Sequence, residues 1–447
     1  MRIAVIGSGI AGMASAWLLS QEHEVDVFED DAQLGGHART VDVEIEGVTY
    51  PVDIGFMVFN DRTYPNLVGL FSHLGIASRE TEMSFSVHVD DTGMEWAGTD
   101  NVSSVFAQPA NALNPAFLGM LKDIGRLDRD ADRLLADPAL DECTLGQLLD
   151  REKYGEGFRS WYLVPMASAI WSTPPGSMLE FPAKSFIRFC HNHGLLQVSG
   201  RPRWRTVLGG AREYVKRLEP GISGRIFPGH TVRRVTREAE GVHVGLTGGW
   251  SDRYDAVVMA AHAPDTLQLL TDPSPEERDI LSTFRYEHNS AVLHTDERFL
   301  PKARRARASW NYWSASGSLH EERISVTYDV SRLQGHASPV PICVTLNAAF
   351  DPDPQKVIGT YAFAHPTFTR ESLAAQERLP RIQGTNRTYF AGAWTRYGFH
   401  EDGLLSAVNV AESLGVEVPW RTHTDERTAP EPAAAVAPRA ENGPIDG

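Results

Sequence analysis

Ile3-Ala4-Val5-Ile6-Gly7-Ser8-Gly9-Ile10-Ala11-Gly12 opens the chain with an apolar run of strand length that ends in a GxGxxG pattern. Residues 10–20 continue at helical spacing, with Ile10, Met13, Trp17 and Leu18 on one side. Glu24-Val25-Asp26-Val27-Phe28-Glu29 reads as a second strand. The three segments make one βαβ unit. Gly7 permits the tight turn, Gly9 lets the backbone approach a pyrophosphate, and Gly12 lets the helix pack close to the strand. Ser8, Ile10 and Ala11 fill the rest of the loop, where the helix N-terminus offers unpaired N–H groups to phosphate. Glu29 ends the second strand, where a carboxylate accepts hydrogen bonds from an adenosine ribose and repels a 2′-phosphate. The reading is a dinucleotide-binding fold, with NADP disfavoured.

Other residues bear on which dinucleotide. Gly35-Gly36, followed by His37 and Arg39, lets the chain run along a diphosphate and a ribityl chain. Near the other end stand Tyr389-Phe390-Ala391-Gly392-Ala393-Trp394 and Gly398-Phe399-His400-Glu401-Asp402-Gly403-Leu404-Leu405-Ser406. This reads as a strand ending in glycine, then a helix opened by Gly403. A helix N-terminus aimed at a flavin stabilises the negative charge that develops on its reduction.

The rest of the chain sets bounds. At 447 residues it suggests two or three domains, and 42% hydrophobic content supplies large cores. Lys+Arg 42 against Asp+Glu 58 gives a net charge of −16, which excludes a nucleic-acid partner. Cys143, Cys190 and Cys343 are far apart, which speaks against a disulfide scaffold or a metal site and for a reducing, cytoplasmic setting. Residues 60–200 read as turns and helices. Strand patterns fill 225–261, with Gly248-Gly249 as a hairpin turn, and recur at 309–313, 324–328 and 342–346. Residues 421–447 lack any hydrophobic period and read as a disordered tail.

Gly7–Gly12, Glu29, Leu34-Gly35-Gly36, the C-terminal Phe-Ala-Gly and Gly-Leu-Leu-Ser-Ala together resemble the flavin-containing amine oxidoreductase superfamily of amine oxidases, protoporphyrinogen oxidase and carotenoid desaturases. Ala169-Ile170-Trp171-Ser172, Asn192-His193-Gly194-Leu195-Leu196, Arg201-Pro202-Arg203-Trp204-Arg205 and Trp310-Asn311-Tyr312-Trp313 resemble a narrower bacterial group. Its flavoproteins are associated with cyclopropane or methylated fatty-acid synthesis. The resemblance implies an α/β fold: a GR2-type Rossmann-like FAD-binding domain assembled from 1–70, 205–285 and 380–418. A substrate domain of mixed sheet plus helices then spans 71–204 and 286–379. It also implies non-covalent FAD, with the Val232 backbone near the adenine and Gly55, Phe56 and Met57 near the flavin ring. Two positions depart from the family pattern: His37 stands where arginine is frequent, and Ala393 where aspartate is frequent.

For chemistry, a flavin accepts hydride itself while the protein positions the substrate. His400 and Glu401, just before Gly403, are the catalytic candidates, His400 as a proton-exchanging group. None of the six lysines sits where an amine oxidase of this superfamily would hold one near the flavin. Trp171, Phe181, Phe186, Phe189, Trp204, Trp310, Tyr312 and Trp313 fit either an aromatic pocket for an acyl substrate or simple core packing, and Trp394 is read as facing the ring. The expected function is FAD-dependent oxidation or desaturation of a small-molecule or lipid-like substrate. The alternatives are amine oxidation and a flavin-bound accessory role beside a lipid methyltransferase. The basic stretch Lys302–Arg307 reads as a solvated loop, or else as a peripheral contact with the inner face of the membrane.

Overall fold

A computed structural model describes residues 1–99, 102–195, 202–321 and 324–421. Leu196 and Arg201 of the quoted motifs, and the tail beyond 421, lie outside the described residues. Five parallel strands form one sheet in the order Ile226–Phe227, Glu24–Phe28, Arg2–Ile6, Ala256–Met259 and Thr388–Phe390. Ile3 pairs with Val25 on one side and Ala256 on the other. Both faces of this sheet are covered, so its strands read as continuous apolar runs.

The alternation along the first strand assigns the faces. Ile3 and Val5 pack with Val25, Val27 and Val258 against helices Ile10–Leu19 and His400–Ser413. Ala4 and Ile6 pack with Phe28, Val257 and Met259 on the opposite face. There they meet an antiparallel meander of Val232–Glu238, Gly241–Leu246 and Ser251–Tyr254. Arg237 bolts this side together. Its buried guanidinium donates to Glu277 Oε1 at 2.6 Å and Oε2 at 2.9 Å, to Asp272 and to Thr388 Oγ1. It thereby links the meander, helix Pro275–Leu281 and the last strand of the sheet.

A second, seven-stranded sheet runs Val357–Thr367, Arg285–His294, Cys343–Leu346, Ser325–Asp329, Trp310–Ser314, Phe85–Val89 and Met94–Gly98. All its neighbours are antiparallel except Trp310–Ser314 with Phe85–Val89. Helices Pro115–Ala136, Val164–Trp171 and Ala183–Asn192 pack on it through Phe117, Met120, Leu127, Val164, Phe186 and Phe189. Among the described residues, no helix is long and apolar enough to cross a membrane.

Several elements differ from the sequence reading. The stretch 60–200 contains the hairpin Phe85–Val89 and Met94–Gly98, which had been read as turns and helices. The long strand Val357–Thr367 lies outside the strand segments read from sequence. The last helix begins at His400, not near Leu404, because the Asp402 carboxylate caps it by accepting the Phe399 N–H at 3.0 Å. Gly403 therefore lies within the first turn, and His400 and Glu401 belong to the helix.

Candidate active site

The glycine loop has the geometry its spacing predicts. Gly7 has φ +101°, and a Cβ there would meet the Ala260 carbonyl oxygen at 2.9 Å. A Cβ on Gly12 would run into the Gly7 carbonyl oxygen at 1.9 Å, so the helix crosses the strand where only glycine fits. A Cβ on Gly9 meets nothing within 4 Å. Gly9 is the N-cap of helix Ile10–Leu19, with φ −60° and ψ 178°, so the first N–H groups of the helix lie beside the glycine loop without a capping side chain. Gly36 stands across from it, where a Cβ would come within 3.1 Å of Gly9 Cα.

Glu29 is the hub just beyond the strand Glu24–Phe28. Its Oε2 accepts the Ser8 N–H at 2.8 Å and the Ser8 hydroxyl at 2.6 Å, and its Oε1 accepts the Asp31 N–H at 2.9 Å. Burial raises its carboxyl, with Ser8 and Asp31 pulling the other way. Ser8 Oγ in turn accepts the Gly35 N–H at 3.1 Å, which ties the double glycine to the loop. The Glu29 carbonyl takes the His230 N–H at 2.8 Å, placing Val232 beside this end of the sheet.

The second wall comes from residues 37–57. The His37 carbonyl accepts the Phe56 N–H at 2.7 Å, and a Cβ on Gly55 would meet that carbonyl at 2.3 Å. The His37 ring lies 5.0 Å from Phe363 and 5.3 Å from His365, and its buried Nε2 has no partner. Burial drives this imidazole well below its ordinary range, helped by His365, His262 and His400. Arg39 is engaged elsewhere: it pairs with Asp31 at 2.6 Å and lies over the Tyr361 ring. Met57 packs in the core, and its carbonyl accepts the Thr206 hydroxyl at 2.9 Å.

The C-terminal motif closes against the N-terminal loop. A Cβ on Gly403 would come within 2.8 Å of Ile10 Cγ2 and 3.7 Å of the Ala393 nitrogen. Gly392 donates its N–H to Ser406 Oγ at 2.8 Å, and Ser406 donates to the Gly403 carbonyl at 2.6 Å. Leu404 is buried against Ile10 and Met13, while Leu405 is half-buried. Trp394 is turned into the core: it packs on Phe284, and its N–H donates to the Ala261 carbonyl at 3.3 Å. That departs from the expectation that Trp394 faces the ring.

His400 and Glu401 are both committed to partners. The His400 ring stacks on Phe56 at 3.8 Å, and its Nε2 meets the Tyr214 hydroxyl at 2.8 Å. Burial pushes this imidazole down to about 3, so it stays neutral at physiological pH. With its Nε2 on the Tyr214 hydroxyl and its ring on Phe56, it has the contacts of a bracing residue, in place of the proton-exchanging group expected from sequence. Glu401 Oε1 accepts from the Asn66 N–H at 3.0 Å and Nδ2 at 2.7 Å, and Oε2 from the Leu67 N–H at 2.9 Å. Its carboxylate caps helix Pro65–Leu74, and burial raises it to about 7 against those three donors.

Sequence reasoning missed Tyr214, Ser406 and the row Tyr361, Phe363 and His365, which alternate along one strand. That period of two is the signal that could have found the row. Asn289 Nδ2 donates to His365 Nδ1 at 3.0 Å, so the His365 proton sits on Nε2. Trp171, Phe181, Phe186 and Phe189 are buried against one another, and half-buried Phe399 stacks on Phe189 at 4.9 Å. His193 is held by its own helix: its Nδ1 meets the Phe189 carbonyl at 2.9 Å.

These contacts bring Gly7, Ser8, Gly9, Glu29, Gly35, Gly36, Gly392 and Gly403 around one space, although they come from both ends of the chain. Residues 10–346 match the model of the flavin-containing amine oxidoreductase family. The chain belongs to that family, and its cofactor is FAD. It is 28% identical over 294 residues to a carotenoid phi-ring synthase of Streptomyces griseus, covering 62% of this chain and 55% of that one. The chain thus spans about half the length of that curated relative. Among solved structures it is similar to a putrescine oxidase bound to putrescine, with TM-score 0.67 and 14% identity over 93% of this chain and all of that one. It is also similar to a CLA-producing fatty acid isomerase from P. acnes, with TM-score 0.63 and 16% identity over 92% and 98% of the two chains. At these identities the solved structures establish the fold.

FAD fits the residues present. The close approach of Gly36 to Gly9 and the N-terminus of helix Ile10–Leu19 beside them suit a pyrophosphate, Glu29 suits the adenosine ribose, and the buried His37 Nε2, without a partner among the described residues, suits a polar atom of the cofactor.

Proposed function

We propose that the protein is an FAD-dependent oxidoreductase that oxidises or desaturates a lipid-like substrate, a modified fatty acyl chain. Bound non-covalently, FAD would supply the two-electron acceptor for a hydride from a substrate C–H bond, and the accompanying proton would leave to solvent. The chain's residues do the rest. Gly7–Gly12, Gly35 and Gly36 cradle the pyrophosphate, Glu29 holds the ribose, and Val232 borders the adenine. Gly55, Phe56, Gly392, Ala393 and Gly403 border the ring.

The observation that carries this reading is the set of half-buried aromatic side chains, Phe56, Tyr361, Phe363, Tyr397 and Phe399, beside residues whose polar groups are already engaged. His400 is neutral and bonded to Tyr214, and Glu401 is spent on a helix N-terminus. We assign both as positioning residues. A site that binds, orients and excludes water suits an unactivated C–H donor. The half-buried Phe56, Tyr361, Phe363, Tyr397 and Phe399 give it apolar walls. A fatty acid isomerase among the similar folds is in keeping with an acyl substrate.

Amine oxidation is the second reading, favoured by family membership and by the putrescine oxidase likeness. Anaerobic mixing of the holoenzyme with methylated or cyclopropane phospholipids, and separately with simple amines, tests both. Bleaching of the flavin by lipid, with a product two hydrogens lighter, is the expected result. Bleaching by amines alone replaces the first reading with the second. If neither donor bleaches it and a lipid methyltransferase loses activity without this protein, the accessory role replaces both.

A further inference from the structure

Two surface turns of the seven-stranded half are held side by side by one buried residue, Glu95, through its carboxylate and its backbone. Glu95, on strand Met94–Gly98, accepts the Lys302 N–H at 2.8 Å and the Ala303 N–H at 2.7 Å. Its own N–H donates to Gln108 Oε1 at 3.0 Å, and its carbonyl accepts Asn111 Nδ2 at 3.4 Å. His88 Nδ1 meets the same carboxylate at 2.8 Å from the neighbouring strand. The first two contacts anchor the turn Arg304–Ala306, and the next two anchor the turn Pro109–Leu113. The short helix Val102–Val105 packs beside Arg304–Ala306 as well.

What these turns display is unlike the rest of the surface. Leu113, 88% exposed, and Val102, 71% exposed, are the two most exposed large apolar side chains among the described residues. Leu118, 44% exposed, follows in the first turn of helix Pro115–Ala136. Lys302, Arg304 and Arg305 are exposed beside them, and among the described residues none of the three has an ion-pair partner. Arg307 differs, pairing with Glu297 at 2.9 Å, and Asp90 is engaged by His88. An unpaired cationic cluster in a chain of net charge −16 is a local reversal of sign. Exposed apolar side chains at turn tips, rimmed by cations, match the boundary between acyl chains and anionic headgroups.

We propose that this edge docks on an anionic phospholipid bilayer. Val102, Leu113 and Leu118 enter the headgroup region, while Lys302, Arg304 and Arg305 lie on the phosphates. The proposal deepens the lipid-substrate reading, which gives it a purpose, but its test needs no substrate.

The holoenzyme is sedimented with vesicles of phosphatidylglycerol and phosphatidylethanolamine, or of phosphatidylcholine alone, at low and high salt. The expected result is partition onto the phosphatidylglycerol vesicles that weakens with salt. Replacing all three cations (K302A/R304A/R305A) weakens it about a hundredfold, at about fivefold per cation. Leu113→Ser, at a side chain nearly free of packing, weakens it independently, and retained flavin absorbance reports that each variant is folded. Failure of the wild type to partition onto either vesicle, equal partition onto both, or folded variants that partition like the wild type overturns the proposal. Loss of lipid oxidation with intact vesicle binding would instead strike the substrate reading alone.

Discussion

Gly403 lies directly against Ile10: a methyl group added to Gly403 would sit 2.8 Å from Ile10 Cγ2. The first turn of the last helix thus rests on the first turn of the first helix, and the proposed flavin site lies where they meet. Gly403→Val should overpack this contact at a cost of about 1–3 kcal/mol and loosen flavin retention. Combining it with Ile10→Ala should restore part of the loss. Thermal melting and the absorbance of bound flavin read both effects.

Gly9 and Gly12 should separate folding from cofactor binding. Gly12→Ala places a Cβ on the Gly7 carbonyl, a backbone atom that cannot yield, so the variant should be recovered poorly or melt far below the wild type. Gly9→Ala adds its methyl to open space, so the apoprotein should stay within about 0.5 kcal/mol of the wild type. Its affinity for FAD should nevertheless fall, which titration by flavin fluorescence quenching would show.

Glu29→Ala removes the acceptor of the Ser8 N–H and hydroxyl as well as the proposed ribose contact. Hydrogen bonds to a charged group are worth about 1.5–3 kcal/mol, so the Kd for FAD should rise about 10- to 100-fold. An unchanged Kd in the same titration would remove Glu29 from the site.

His400 and Glu401 are chain neighbours with opposite linkage to pH. Burial lowers the His400 imidazole to about 3, so its share of stability is full above the unfolded value of about 6.5. That share declines as pH falls toward 3. Burial raises the Glu401 carboxyl to about 7, so its share is full below the unfolded value of about 4.3 and is lost as pH rises through 7. In melting curves against pH, His400→Phe should flatten the loss on the acid side and Glu401→Gln the decline in stability as pH rises toward and through 7. Identical curve shapes in all three proteins would contradict these assignments.

Arg237→Met should be among the more damaging substitutions away from the cofactor. It leaves Glu277 as an unpaired buried carboxylate, and breaking a buried pair costs about 3–5 kcal/mol. The double variant R237M/E277M should recover much of that, because the cost lies in the orphaned charge. Chemical denaturation of the two variants measures the difference.

The cofactor-binding half was legible because its signals are local. An apolar strand buried on both faces, a helix at 3.6-residue spacing and glycines at fixed offsets leave marks that tertiary context does not blur. The hairpin of Phe85–Val89 and Met94–Gly98 was not legible because its buried polar residues satisfy each other across strands. Ser86 bonds Asn311 at 2.8 Å and His88 bonds Glu95, so polar letters stand where the structure is closed to water. The start of the last helix was hidden for a similar reason. Glu401 and Asp402 look like solvent-facing acids, yet both are buried, one capping a distant helix and the other its own. Their partners, Asn66 and Phe399, cannot be inferred from spacing alone.

The edge strand Thr388–Phe390 completes the five-stranded sheet only after Ala256–Met259 is in place beside it. During synthesis, therefore, the N-terminal glycine loop emerges long before its roof has been translated. The nascent polypeptide can shut this sheet only once the segment through Phe390 has been made, about 380 positions after the loop that it covers.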